Sequence, residues 1–215
     1  MNIKTLGLAA AALFTATALA GAASAAPVIS VTTVDQPLPA GQTMIDDFDN
    51  AIATGYGFSP ANVRSGSLGL LSGVSAPPPG DLTNYETVLG GASATLTTPN
   101  GLHAVSLYLG SPDDYNLITF LGGTVGSLTL QGSQLFSPAT AFGGDQTVGR
   151  RVTYDFGSDT FTSVVFASNG NSFEFDDIAG VSAVPEPSSW ALMMVGVGAL
   201  GFALRRRPVS AQAAA

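Results

Sequence analysis

The side chains of this 215-residue chain that could do acid–base or metal chemistry are 15 carboxylates and one histidine, with no cysteine. Six of the twelve aspartates fall in adjacent pairs: Asp46-Asp47 with Asp49 close by, Asp113-Asp114, and Asp176-Asp177. Calcium takes about six to eight oxygens and accepts carboxylates from distant strand ends. Carboxylates scattered over strand ends could together form such a site. The EF-hand run of alternating acids ending in glycine is absent, and capping turns and charging strand edges account for such pairs without a metal. No cofactor is therefore expected.

Paired carboxylates also serve glycoside hydrolysis, but nothing in the sequence sets their separation. His103 lies in LHAVSLYLG, alternating with Val105 and Leu107, which marks a packed or edge histidine rather than a base. There is no G-x-S-x-G elbow to supply a nucleophile, and one histidine without cysteine cannot build a zinc site of the usual kind. The chain is not expected to be an enzyme. Tyr56, Phe58, Tyr85, Tyr108 and Tyr115 could stack on sugars, although aromatics at period two commonly fill a core.

Charged residues make up 10% of the chain, against roughly 25% in an ordinary soluble domain. Between residues 26 and 184 there are three arginines against 14 acidic residues, leaving about −11. Such a field repels phosphate backbones and argues against a nucleic-acid partner. The basic residues gather at the ends: Lys4 at one, Arg205, Arg206 and Arg207 at the other.

The C-terminal stretch VPEPSSWALMMVGVGALGFALRRRPVS explains that clustering. Residues 188–204 carry no charge, a length that rises about 25 Å as a helix, the short end of what spans a bilayer core of roughly 30 Å. Trp190 suits one interface, and Arg205–Arg207 form a stop that stays on the cytoplasmic side. Pro185 and Pro187 keep the preceding segment extended. A literal G-x-G-x-x-G from Gly196 to Gly201 sits inside this run without the strand or acidic residue a dinucleotide site needs. The order Pro185-Glu186-Pro187, Trp190-Ala191, short span and triple arginine resembles the PEP-CTERM sorting signal. The resemblance implies recognition and cleavage by an exosortase, a membrane-embedded peptidase of bacteria that make extracellular polysaccharide.

The N-terminus, MNIKTLGLAAAALFTATALAGAASAAPV, places one lysine, an apolar run and small residues in the order of a secretory signal. Ala23-Ser24-Ala25 fits a signal peptidase site with cleavage before Ala26. The chain then divides into a signal peptide (1–25), an extracellular domain (26–184), a sorting signal with transmembrane helix 188–204 (185–208) and a disordered cytoplasmic tail (209–215).

Residues 26–184 show alternation and turn signals instead of a helical period. VISVTTV, TMIDDF, ETVLGGASATLTT, LHAVSLYLG, NLITFL, SLTLQG, RVTYDF, FTSVVF and SFEFDDI read as strands, and Val74–Asn84 as an exposed loop. The fold class is all-β, an antiparallel jelly-roll-like β-sandwich. In LHAVSLYLG, Val105, Leu107 and Leu109 share one face, and Leu102, Ala104, Ser106 and Tyr108 the other. GLHAVSLYLGSPDDYNLITFLGG and FTSVVFASNGNSFEFDDIAG also resemble blocks of PEP-CTERM surface proteins that have no assigned activity. The resemblance implies an exported cell-surface or biofilm-matrix protein, structural or adhesive, whose partners are the exosortase, signal peptidase and the membrane. The alternative is a carbohydrate-binding module, stabilised by calcium, that docks on extracellular polysaccharide. In the jelly rolls this architecture resembles, a structural calcium joins an early strand to the last, and that resemblance implies Asp46 or Asp47 with Asp176 or Asp177 as the calcium candidates.

Overall fold

The computed structural model of the chain describes residues 26–110, 112–137, 148–183 and 187–205. The expected signal peptide with Ala23 and Ala25, the tail 209–215, and Pro185, Glu186, Arg206 and Arg207 lie outside the described residues; Ala26 is the first of them.

The strands are β1 (Val28–Thr32), β2 (Thr43–Asp46), β3 (Gly57–Ser59), β4 (Val63–Ser65), β5 (Asn84–Val88), β6 (Ser93–Leu109), β7 (Asn116–Gly122), β8 (Gly126–Gln131), β9 (Arg150–Asp155), β10 (Phe161–Ser168) and β11 (Phe173–Ser182). One helix, α1 (Pro187–Arg205), follows. The eleven strands join in one sheet along the path β4-β5-β11-β6-β10-β7-β8, with β9 between β1 and β6, β2 beside β11 and β3 beside β6. Every strand pairing is antiparallel. The protein is all-β in this sense, a single curled antiparallel sheet.

The curl comes from β6. Its first part, Ser93–Thr97, pairs with β10 and β3; its second, Leu102–Leu109, pairs with β11 and β9. Between them Pro99 has no N–H to give to a ladder, and Gly101 takes φ +84°, open to glycine at little cost. One strand thus serves two parts of the sheet, and the sheet wraps around a shared core.

That core is aromatic. Phe120 meets Phe156, Phe161 and Tyr154 with ring centroids 4.8, 5.2 and 5.4 Å apart. Phe166, Phe173 and Phe175 form a second group that Phe58 and Phe48 close from the side. Each buried ring contributes about 1.5–3 kcal/mol through burial, and tilted or edge-on pairs add to it.

Val105, Leu107 and Leu109 face this core as the alternation requires. Leu102 was expected on the opposite face but packs into the core too, where the β11–β6 register slips between Val181 and Ser182. The loop Val74–Asn84 is less exposed than expected. Ser75 is buried and shares a hydrogen bond with Tyr85 at 3.1 Å, and the Pro79 carbonyl accepts from the Tyr108 hydroxyl at 2.6 Å. This loop lies against β6 and β11 and forms one wall of each cavity described next.

Candidate functional site

The outward face of β6, β9 and β11 carries polar side chains, and the segments before β2 and β5 fold over it. Arg151 on β9 is 1% exposed. Its Nε donates to the Asp35 carbonyl at 2.7 Å, and its Nη1 to Ser106 Oγ at 3.0 Å and to the Asp177 carbonyl at 2.9 Å. Its Nη2 pairs with the Asp35 carboxylate, and Asp177 Oδ2 lies 3.8 Å away. A guanidinium has five donors in a fixed fork, so this one residue ties three separate parts of the chain together.

Above Arg151 opens an acidic cleft of about 550 Å³, lined by Asp35, Asp47, Asp49, Asp81, Thr83, Tyr108, Asp176 and Asp177 among others. Asp176 Oδ1 accepts from the Asp177 N–H at 2.7 Å and Oδ2 from the Thr83 hydroxyl at 3.2 Å. Burial, and then the neighbouring carboxylates, hold Asp176 well above the ordinary carboxylate range; Asp177 is raised for the same reasons, with Arg151 opposing. Asp47 is lowered: burial pushes it up, but donors from Asn50 outweigh that.

Of the four calcium candidates, Asp47, Asp176 and Asp177 do meet in this cleft. Asp46 does not line it. Asp46 is buried, and its Oδ1 accepts from the Phe48 N–H at 3.0 Å. Asp35 and Asp81 reach the cleft from loops and carry no sequence signal of their own. Among the described residues, no group of three or more His, Cys, Asp or Glu is placed to hold a metal ion. The cleft's physical effect is to repel anions.

Asp113 belongs elsewhere. With Tyr115, Asn171, Ser172, Glu174 and the loop residues Leu70, Leu71 and Val74 it lines a second cavity of about 210 Å³. The Tyr115 hydroxyl contacts Asp113 Oδ2 at 2.7 Å and the Asn171 carbonyl at 2.8 Å; burial, and then Asp113, push its pKa up to about 12. Glu174, 3% exposed, accepts on Oε1 from the Ala76 N–H at 3.0 Å and from the Ser172 hydroxyl, and burial raises its pKa. The turn Ser168–Asn171 was expected, but its role in a cavity wall was not. His103 stands at neither cavity, its Nδ1 bonded to the Asp159 carbonyl at 3.0 Å.

At the far end of β11 the Ala183 N–H donates to the Gly101 carbonyl at 3.0 Å, carrying the sheet's hydrogen bonding to within two residues of Pro185. Pro187 then opens α1, at the helix position where its missing N–H costs least. Ala191 and the apolar Met193, Met194, Val195, Val197, Leu200 and Phe202 are exposed. The profile of the PEP-CTERM protein-sorting motif matches residues 183–207. The chain carries a PEP-CTERM sorting motif. Export and exosortase-dependent sorting follow from the PEP-CTERM motif, which is a membrane-associated signal.

The helix expected over 188–204 is present, but among the described residues no helix is long and apolar enough to cross a membrane. The helix opens on Pro187-Ser188-Ser189 and holds three glycines. Those glycines, Gly196, Gly198 and Gly201, lie within helix and form no phosphate-binding turn. No curated protein matches the sequence. Among solved structures, the family 11 carbohydrate-binding module of cellulosomal cellulase Lic26A-Cel5E of Clostridium thermocellum is similar at 12% identity, covering 70% of this chain and 99% of that chain with a TM-score of 0.29. A superposition that loose bears on neither ligand nor mechanism.

Proposed function

We propose that the chain is an exported surface protein that an exosortase cuts near Pro185–Pro187 and delivers to the cell surface or the extracellular polysaccharide matrix. There it has a structural or adhesive role. It is the substrate of a sorting enzyme and not itself an enzyme. The observation that carries this is the PEP-CTERM motif over residues 183–207, beginning where the sheet's last hydrogen bond is made at Ala183. Signal peptidase would cut before Ala26. The apolar α1, with Trp190 and Ala191 in its first turns and Arg205–Arg207 at its end, would hold the tail at the membrane until cleavage. In this reading the curled sheet is a jelly-roll-like sandwich, a rigid body for display outside the cell.

Intact mass spectrometry of the protein from its native host tests this. Wild type is expected to lack residues 1–25 and everything beyond the Pro185–Pro187 region, and a Pro185→Ala/Glu186→Ala variant to keep its C-terminus. An untrimmed wild-type C-terminus would refute the proposal.

A second reading, a carbohydrate-binding module docking on extracellular polysaccharide, is supported by one observation. The cavity beside Glu174 joins apolar walls to a few polar groups, the lining small-molecule sites commonly have.

A further inference from the structure

We propose that Asn169 is a site of spontaneous chemical modification, in which the Gly170 backbone nitrogen displaces the side-chain amide and leaves aspartate or isoaspartate in the turn between β10 and β11. This chemistry is independent of how the chain is sorted.

The chain holds two Asn-Gly steps, Asn100-Gly101 and Asn169-Gly170. Glycine has no Cβ to obstruct an approach to its nitrogen, so by sequence the two steps are alike. The fold separates them. The Gly101 N–H donates to Thr98 Oγ1 at 2.9 Å, and the Gly101 carbonyl accepts from the Ala183 N–H at 3.0 Å. Asn169, by contrast, is exposed, and among the described residues its side-chain amide, its carbonyl and the Gly170 N–H have no hydrogen-bond partner. The groups on either side are anchored: the Asn169 N–H donates to the Tyr115 carbonyl at 3.0 Å, and the Ser168 hydroxyl to the Gly170 carbonyl at 2.6 Å. The Asn169–Gly170 peptide can therefore turn toward the side chain without breaking a hydrogen bond.

Nearby asparagines show what protection looks like. Asn171 Oδ1 accepts from the Gly90 N–H at 2.8 Å and its Nδ2 donates to the Gly73 carbonyl at 3.1 Å, and serine follows it instead of glycine. Asn50, Asn62 and Asn84 are each held through Nδ2 as well.

The Gly170 nitrogen gives up its proton to solvent base and attacks Asn169 Cγ. The new C–N bond closes a succinimide ring, the Cγ–Nδ2 bond breaks, and ammonia leaves after taking a proton from water. Water then opens the ring. Breaking the bond from nitrogen to Cγ restores the main chain and gives aspartate; breaking the bond from nitrogen to the original carbonyl carbon runs the main chain through Cγ and gives isoaspartate. The sum is amide plus water giving carboxylic acid plus ammonia, with nothing oxidised or reduced. Either product puts a further negative charge on the turn whose Asn171 borders the cavity of Asp113 and Glu174. Isoaspartate also adds a main-chain carbon between the Tyr115 and Ser168 anchors, so the turn cannot keep both in their present geometry.

Attack at Asn100 requires the Gly101 N–H to leave Thr98 first. One hydrogen bond of ordinary net strength corresponds to roughly two- to tenfold in rate.

The test incubates the full-length chain in mild detergent at mildly alkaline pH, both folded and unfolded in urea. Peptide mapping by mass spectrometry follows each asparagine, and an isoaspartate-specific methyltransferase reads the rearranged product. In the folded protein Asn169 is expected to convert first, with Asn171 keeping its amide. The ratio of Asn169 to Asn100 conversion is expected to be roughly two- to tenfold higher folded than in urea. Thr98→Val removes the acceptor for the Gly101 N–H and should speed Asn100 by the same factor while leaving Asn169 unchanged. Asn169→Gln changes an exposed side chain that makes no hydrogen bond, so the fold is retained and conversion in that peptide should stop. If Thr98→Val fails to fold, the folded-to-urea ratio and Asn169→Gln decide. The proposal is overturned if folded Asn169 keeps its amide while the unfolded chain converts, if folding does not raise the ratio, or if folded Thr98→Val leaves Asn100 unchanged.

Discussion

Arg151 Nη1 donates to the backbone carbonyl of Asp177 at 2.9 Å, beneath a bulge that interrupts the pairing of β11 with β6 between Asp176 and Ala179. The guanidinium fills the gap that the bulge leaves and neutralises the nearest carboxylates of the cleft. Removing one partner of a buried ion pair costs about 3–5 kcal/mol, because the other charge is left without compensation. Arg151→Met is expected to lose that much in urea unfolding followed by circular dichroism. Arg151→Lys keeps the charge but not the fork of donors, so its loss should be intermediate. A loss below about 1 kcal/mol for Arg151→Met would mean that the fold does not depend on this residue.

Acidification should stabilise this protein over a range where many proteins begin to lose stability. Asp46, Glu86, Glu174, Asp176 and Asp177 all have raised pKa values, with burial as the leading cause. A carboxyl whose folded pKa is above its unfolded value binds more protons when folded. Its contribution is therefore complete below the unfolded pKa, near 4, and is lost as pH rises through the folded pKa. Melting temperature is expected to rise as pH falls from about 8 to about 5. A flat or opposite slope would show that these groups are neutralised by something other than protons.

Glu86 accounts for a defined share of that slope. It is 1% exposed, both its oxygens accept from the Asn62 N–H at 2.9 and 3.0 Å, and burial pushes its pKa up to about 7. A rise of that size is worth roughly 2–3 kcal/mol of stability between pH 5 and pH 8. Glu86→Gln cannot titrate. Its unfolding free energy should fall less than wild type's by about that amount over the same range, whatever its absolute stability. Parallel pH curves for the two proteins would contradict the assignment.

How far the sequence carried the reading differs by level. Period-two alternation located most strands, because side-chain alternation is local and turn residues such as Ser168–Asn171 bound it. The short strands β3 and β4 were missed, since three residues are too few to show a period. The sorting tail was legible because its order of charged, apolar and basic residues is itself the signal. The acidic cleft was half legible: Asp47, Asp176 and Asp177 advertise themselves as pairs. Asp35 and Asp81 come from loops of no periodicity, and only the folding of those loops over β6 and β11 brings them in. Glu174 reads as one strand residue among many. What singles it out is its place in a cavity wall, which exists only after the chain has folded.

The loop that walls both cavities should be sensitive at Gly66. A Cβ there would lie 2.7 Å from the Asp81 carbonyl oxygen and 2.8 Å from the Thr83 carbonyl oxygen, both backbone atoms. The Gly66 N–H itself donates to the Thr83 carbonyl at 2.5 Å, clasping the two ends of the loop. A side chain cannot be fitted by turning a rotamer, so the backbone must move, as overpacking requires at a typical cost of about 1–3 kcal/mol. Gly66→Ala should lower stability by that modest amount while the loop 66–83 opens. Hydrogen exchange should show faster exchange at Ala76 and Thr83, whose N–H groups are held by Glu174 and Asp81, with β7 and β10 unchanged. Uniformly faster exchange would mean that Gly66 supports the whole fold, and unchanged exchange that the loop needs no clasp.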